Sequence, residues 1–370
     1  DGCIYIWTAT TLTKKVDDAH QGPLFAITAV QDKGYVTGGK DGKVILWDPE
    51  FQKRIKTYEL TKANLTSDSR GTLTEEPTAV RAVSLTRRII VGTRGGEICE
   101  IEKDGRIRVP IQGHAEGEMW GLSTHPKKYE MCTVSDDKTV RIWSLQDRRM
   151  IRFKTFPDLL RTCEYSQSGK TIAVGTKNGH FMILNEADLS IIVTVEHRNQ
   201  EVSDIKFSPD DRYLAVGTHD NFVDIYNVET QKRVGICKAN SSYITHIDWE
   251  SKGKLIMTNS GAKEQLFYEA PRGTRITSIK TTDIEKMNWF TWTGVLGLVC
   301  EGIWPPATDI TDVNSTDLTK DKRILATGDD FGLVKLFDFP VKGKFAKFKR
   351  YTGHSAHVTR VRWTYDNSYL

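Results

Sequence analysis

Four groups of residues in this 370-residue chain have types and spacings that could do chemistry. The run Gly38-Gly39-Lys40-Asp41-Gly42-Lys43-Val44 mimics a phosphate-binding loop. Its spacing is too short, and Val44 stands where a Ser or Thr hydroxyl would hold magnesium, so the run reads as a hairpin turn. His354 and His357 are three residues apart but fall in a predicted loop and strand with no carboxylate at ligand spacing, and none of the nine histidines forms an HExxH pair. Cys3, Cys99, Cys132, Cys163, Cys237 and Cys300 include no CxxC pair and sit mostly in apolar strand contexts. They read as small buried hydrophobes in a reducing compartment. The fourth group, Val341 to Tyr351, interleaves Lys342, Lys344, Lys347, Lys349 and Arg350 with Phe345 and Phe348, a pattern suited to docking on an acidic protein surface. The alternative is a solvated outer strand whose phenylalanines face the core.

No nucleophile elbow of the Gly-x-Ser-x-Gly kind is present. Together these observations predict a protein that is not an enzyme and has no catalytic residue, no cofactor and no metal. A second basic run, Arg148, Arg149, Arg152 and Lys154, carries fewer aromatics. Lysines of this kind also protect ordinary edge strands, so nucleic acid is not expected as a partner. The three Asn-x-Ser/Thr sequons, at Asn64, Asn240 and Asn314, are taken as chance.

The elements that must position these groups are legible as a repeat. Eight times the chain spells a small or β-branched residue, a Gly or Ser, a polar turn, and an alternating apolar strand, ending at Trp7, Trp47, Ile101, Trp143, Leu184, Tyr226, Tyr268 and Phe337. The period is roughly 40 to 45 residues except before Ile101 and before Phe337, which is the length one β-propeller blade needs. The turn residues make positive φ inexpensive, and the alternation gives each strand one face to bury. A lone four-stranded blade cannot cover both faces, so copies must stack, and function is expected on loops and rims.

Gly113-His114, Gly353-His354 and the strands VSDIKF and VTRVRW that precede the turns make the chain resemble the WD40 family. That resemblance implies a buried hydrogen-bonded network of His, Ser or Thr, Asp and Trp, best matched by His114, Thr133, Asp137 and Trp143. Blades ending in Ile101, Leu184, Tyr226, Tyr268 or Phe337 lack the Trp and are expected to rely mainly on packing. The polar run Thr61 to Pro77 absorbs one long interval and reads as a linker or loop. The other interval holds Ile284 to Pro306, with Trp289, Trp292 and Trp304. Aromatics at that density want burial, so a packed extension of a blade is expected there.

The segments TGDDFGLVKLFDFP, KFAKFKRYTGHSAHVTRVRW, NWFTWTGVLG, DGCIYIWTATTLTKK and AHQGP give the most specific resemblance. They resemble the echinoderm microtubule-associated protein-like family, from one end of the chain to the other. The resemblance implies an all-β fold in which two atypical WD40-type β-propellers are fused in tandem. On this reading residues 1–60 are late blades of a first propeller and residues 61–370 a second, with the boundary within 50–77. Geometry alone also allows a single eight-bladed ring. The chain opens and stops in strand-like sequence, as a part of something longer would. Neither the hydrophobic motif that precedes the family's first propeller nor a coiled-coil heptad region is found.

The partners that this resemblance implies are tubulin and microtubules, with other cytoskeletal or ciliary proteins, on cytoplasmic or axonemal microtubules. The alternative is a WD40 adaptor for a ubiquitin ligase or signalling complex. Such receptors commonly carry Trp-Asp-x-Arg at blade ends, whereas Trp47-Asp48 is followed here by Pro49-Glu50. Net charge is +4, from 52 basic and 48 acidic residues, so local clusters rather than a global field must steer any polyanionic partner. No stretch approaches the ~18 apolar residues of a membrane span, and no membrane partner is expected.

Overall fold

The computed structural model describes residues 1–30, 34–85, 88–304, 313–343 and 345–370. Among them, the strands form seven four-stranded antiparallel sheets and one two-stranded sheet. Each of the eight repeated turn sequences ends in a strand, and in the four-stranded sheets that strand is the third in chain order. At the turn after Gly34–Gly39, Gly42 has φ 70°, a conformation that an L side chain adopts only under strain. The imitation phosphate loop is therefore the hairpin turn its spacing predicted.

The chain divides into two compact units, Asp1–Gly117 and Glu118–Leu370. The first holds the two-stranded sheet of Ile4–Thr8 and Thr11–Val16 and the sheets running from Leu24 to Glu59 and from Val80 to Gln112. The polar run expected to link propellers lies inside this unit. Leu73 in the run is fully buried in a cluster with Val44, Val91 and Ile107, and Leu65 forms a parallel bridge with Ile107. Its leucines thus tie it to the neighbouring sheet, and the compact division falls after Gly117.

The second unit holds five four-stranded sheets. Alternation along the strands lets adjacent sheets interleave aliphatic faces. Val134, Val140 and Ile142 of the first sheet meet Leu160, Ile172 and Val174 of the next, all at 0% exposure. Each such side chain contributes about 1.5–3 kcal/mol relative to an exposed one. The innermost strands are Met119–Thr124, Leu160–Tyr165, Val202–Phe207, Ile244–Trp249 and Val313–Leu318.

Two irregular segments take inner positions beside these strands. Residues 289–296 run between the Ile244–Trp249 and Val313–Leu318 strands. Asp248 accepts from the Thr293 and Gly294 amides at 2.8 Å each, and Thr316 donates to the Gly294 carbonyl at 3.1 Å. The chain around 289–304 is the packed extension that its tryptophans predicted. Trp289 and Trp292 are buried with Phe267, Val299, Cys300 and Phe337, and Trp304 packs against the same cluster. The second segment, residues 358–364, bridges the unit's first and last sheets. Thr359 donates to the Met119 carbonyl at 2.7 Å, Thr124 to the Trp363 carbonyl at 2.8 Å, and the Val361 amide to Ser315 at 3.2 Å.

All six cysteines are unpaired, and five are buried. Burial pushes the thiols of Cys99, Cys237 and Cys300 up to about 12, which leaves them protonated and inert. No helix among the described residues is long and apolar enough to cross a membrane.

Candidate interaction surfaces

The first candidate is the basic strand. Phe348–Tyr351 is the outermost strand of the last sheet, and all four of its residues are exposed. Lys342, Lys347, Lys349 and Arg350 are exposed too, and Lys344 lies outside the described residues. Phe345 is 86% exposed and Phe348 49%, so these rings face solvent where the competing reading put them against the core. Phe348 nevertheless touches Phe337, with ring centroids 5.3 Å apart, and the Lys335 ammonium lies 5.4 Å from its ring. The result is a solvent-facing strip of cations and aromatic rings. In the second basic run two arginines have carboxylate partners: Arg152 pairs with Glu130 and Glu186, and the exposed Arg149 with Asp147.

The second candidate is the axis of the Glu118–Leu370 unit. The inner strands alternate, and the third and fifth positions of three of them carry Asp204 and Lys206, His246 and Asp248, and Ser315 and Asp317, joined by Arg360 and Arg362. Lys206 lies 3.3 Å from Glu164 and 3.4 Å from Asp204. Arg360 donates to the Ser203 carbonyl at 2.9 Å and the Trp120 carbonyl at 3.3 Å, and its nearest carboxylate, Asp204, is 3.8 Å away. Arg362 donates to Ser315 and to the Thr316 carbonyl, both at 3.3 Å. Charges taken out of water must be paired, and this layer pairs most of its own. Burial first, and then Arg360, hold the His246 imidazole down to about 3, so it is neutral at physiological pH. Burial pushes the Asp248 carboxyl up to about 6, and it raises Asp317 as well.

One mouth of this axis opens into a funnel of about 620 Å³ walled by Trp120, Tyr243 and Trp304 and floored by His246 and Arg360. Trp120 also stacks on Arg161, whose guanidinium carbon is 5.0 Å from the ring centre. Arg161 pairs with Asp136 and Glu201. No group of three or more His, Cys, Asp or Glu among the described residues could hold a metal, and His357 instead faces Glu118 at 3.5 Å.

A fully formed network of His, Asp, Thr and Trp occurs in the first unit, at residues the sequence reading did not assemble. His20 bonds Asp41 at 2.9 Å and Thr37 at 2.8 Å, and the Trp47 indole donates to the same Thr37 hydroxyl at 2.8 Å. The signal was present, since His20, Thr37, Asp41 and Trp47 follow one another in the order His, Thr, Asp, Trp; the run was read as a hairpin turn of the repeat without joining it to His20. Of the residues that were singled out, Trp143 donates to Thr133 at 2.7 Å, while Asp137 receives Thr139 and pairs with the buried Arg141 at 3.0 Å. His114 belongs to the first unit.

Blades without the Trp, expected to rely mainly on packing, keep polar ties as well. Asn240 donates to Tyr268 at 3.0 Å and accepts from Thr258 at 2.9 Å, and His197 bonds Tyr226 at 3.0 Å. Thr37→Val should cost about 1–3 kcal/mol, because it strands the His20 and Trp47 nitrogens in the core. Thermal unfolding followed by circular dichroism would measure this, and an unchanged melting temperature would mean that the hydroxyl is dispensable.

Comparison with known proteins places these surfaces in context. The family model described as "Echinoderm microtubule-associated protein second beta-propeller" matches residues 119–370. The chain belongs to the echinoderm microtubule-associated protein-like family. Within this family its second-propeller match begins two residues beyond Gly117, where the first compact unit ends. A WD domain, G-beta repeat model matches residues 12–48, which contain the His20 network. Echinoderm microtubule-associated protein-like 2 of Mus musculus is 34% identical over 376 residues, covering 99% of this chain and 55% of that protein. The 77 kDa echinoderm microtubule-associated protein of Lytechinus variegatus is 35% identical over 379 residues, covering 100% of this chain and 54% of that protein. Echinoderm microtubule-associated protein-like 4 of Homo sapiens is 31% identical over 389 residues, covering 100% of this chain and 38% of that protein. The chain thus spans about half the length, or less, of these relatives. The fold is that of WD40-type β-propeller repeats.

Proposed function

We propose that this chain is a non-enzymatic microtubule-binding module that contacts tubulin through its propeller surfaces and works at the cytoskeleton. Relatives named as microtubule-associated proteins align with nearly the whole chain, which supports the reading. The single structural observation that carries it is the outer strand around Phe348–Tyr351, where exposed Lys347, Lys349 and Arg350 flank exposed rings. Such a strip suits an acidic protein wall, because its cations are displayed in water and its rings offer area to bury on contact. Tubulin is the partner proposed for it.

Co-sedimentation with stabilised microtubules tests both halves of the proposal. The chain is expected to pellet at low salt and to be released as salt rises, since screened surface charges set the attraction. Changing Lys342, Lys344, Lys347, Lys349 and Arg350 to Ser should reduce the pelleted fraction several-fold. A chain that stays in the supernatant at low salt overturns the function. A variant that pellets like the unmodified chain overturns only the assignment of the strand.

A further inference from the structure

The funnel at the axis of the Glu118–Leu370 unit has an imbalance that its own residues do not resolve. Two N–H groups on residues that line it, Trp120 Nε1 and Arg360 Nη1, are buried without a hydrogen-bond acceptor, whereas Arg161 Nε stands 3.2 Å from Glu201. None of the side-chain oxygens on the residues lining the funnel is similarly stranded among the described residues. The unmatched capacity is all of one kind, that of donors. Buried donors of this sort each cost stability, and a native structure that keeps two in one funnel favours a ligand that brings acceptors.

The charges on the funnel point the same way once they are matched to their partners. Arg161 is answered by Asp136 and Glu201, and Asp330 on the rim accepts from Asn314 at 2.8 Å. Arg360 on the floor has only Asp204, at 3.8 Å, and Asp204 is shared with Lys206 at 3.4 Å. Its guanidinium fork, which suits a carboxylate, is otherwise spent on two backbone carbonyls. Lys263 adds an exposed cation at the rim. Around these donors, Trp120, Tyr243 and Trp304 supply flat walls, and the volume of about 620 Å³ lies within the range of sites that hold small ligands or short peptide segments.

We propose that this funnel is a docking site for an acidic peptide segment, one carboxylate of which reaches the Arg360 floor while its backbone lies between the aromatic walls. This site is separate from the Phe348–Tyr351 strand and does not rest on the microtubule reading, so either can fail without the other. The carboxylate supplies the acceptors that Trp120 and Arg360 lack, and Lys263 offers the charge that draws it in.

Fluorescence anisotropy with a short fluorescein-labelled glutamate–glycine peptide, set against its glutamine–glycine counterpart, tests this. At about 0.15 M salt the Debye length is ~8 Å, so diffuse attraction to the chain's surface is screened. The glutamate peptide is expected to bind at least about tenfold more tightly than the glutamine peptide, the ratio that one charge-assisted contact provides. Lys263→Glu, on the exposed rim, and Trp120→Phe, which deletes the indole N–H while keeping a ring, should each weaken binding several-fold with an unchanged circular dichroism spectrum. Arg360→Gln should abolish the preference for Glu over Gln. Changing Lys347, Lys349 and Arg350 to Ser should leave the titration unaltered. The proposal is overturned by equal affinities for the two peptides, by no binding of the glutamate peptide, by full binding in Lys263→Glu and Trp120→Phe, or by loss of binding in the outer-strand variant.

Discussion

Trp292→Ala is expected to destabilise the Glu118–Leu370 unit by about 3 to 5 kcal/mol, the cost of emptying a buried aromatic site. Trp292 is 2% exposed, and its ring stands 6.0 Å from that of Trp289 and 6.2 Å from that of Phe339. The effect reaches beyond transfer of one side chain. Trp292 immediately precedes Thr293 and Gly294, whose amides Asp248 receives at 2.8 Å, so its burial holds the 289–296 segment between two blades. If that seam loosens, two backbone donors and a buried carboxylate lose their partners together. Urea unfolding followed by tryptophan fluorescence measures the change, with Trp292→Phe, which keeps most of the apolar area, expected to lose less than half as much. A loss below ~1 kcal/mol for the Ala variant would mean that the segment packs without it.

How far such a seam could be read from sequence depends on what repetition encodes. The blades announced themselves because each repeat must solve the same local problem, a tight turn followed by an alternating strand. Thr37 to Trp47 and Val216 to Tyr226 therefore look alike even where Tyr replaces Trp. The extension with Trp289 and Trp292 was legible as buried mass, since aromatics at that density need cover. Its inner position was not, because residues 289–296 carry no turn sequence and owe their place to Asp248, some forty residues earlier. The place of the polar run was hidden for a related reason. Polar composition at Thr61 to Pro77 suggested a linker, but Leu65 and Leu73 within it bind the run to the sheet that follows. The axial charges escaped notice altogether. Asp204, Lys206, Asp248 and Arg362 are scattered over long sequence distances, and only closure of the sheets makes them neighbours.

Those axial charges support the second large prediction. Asp204→Asn is expected to cost about 3–5 kcal/mol near neutral pH, because it leaves buried cations short of a countercharge. Asp204 is fully buried, and burial alone would raise its pKa; Lys206 and Arg360, with His246 and Arg362 behind them, reverse this and hold the carboxyl below the usual range. The sign of the pH dependence follows. A carboxyl depressed in the folded state contributes stability that is fully present above its unfolded value of about 3.9 and is lost as pH falls through the folded value. The gap between the unmodified chain and Asp204→Asn should therefore be widest near pH 7 and narrow below about pH 4. Asp248, raised to about 6, tilts the other way in both proteins: its stabilisation is lost as pH rises from the unfolded range through about 6, so it cancels from the difference. Denaturant melts at several pH values would separate the two, and a pH-independent gap would mean that Asp204 acts by shape alone. The remaining ambiguity is the bond that Asp204 accepts from the Ile247 amide at 2.8 Å. Asn keeps an oxygen for that amide, so the loss should trace to charge, and adding Lys206→Met to Asp204→Asn should recover part of the stability, because it removes the cation left unanswered.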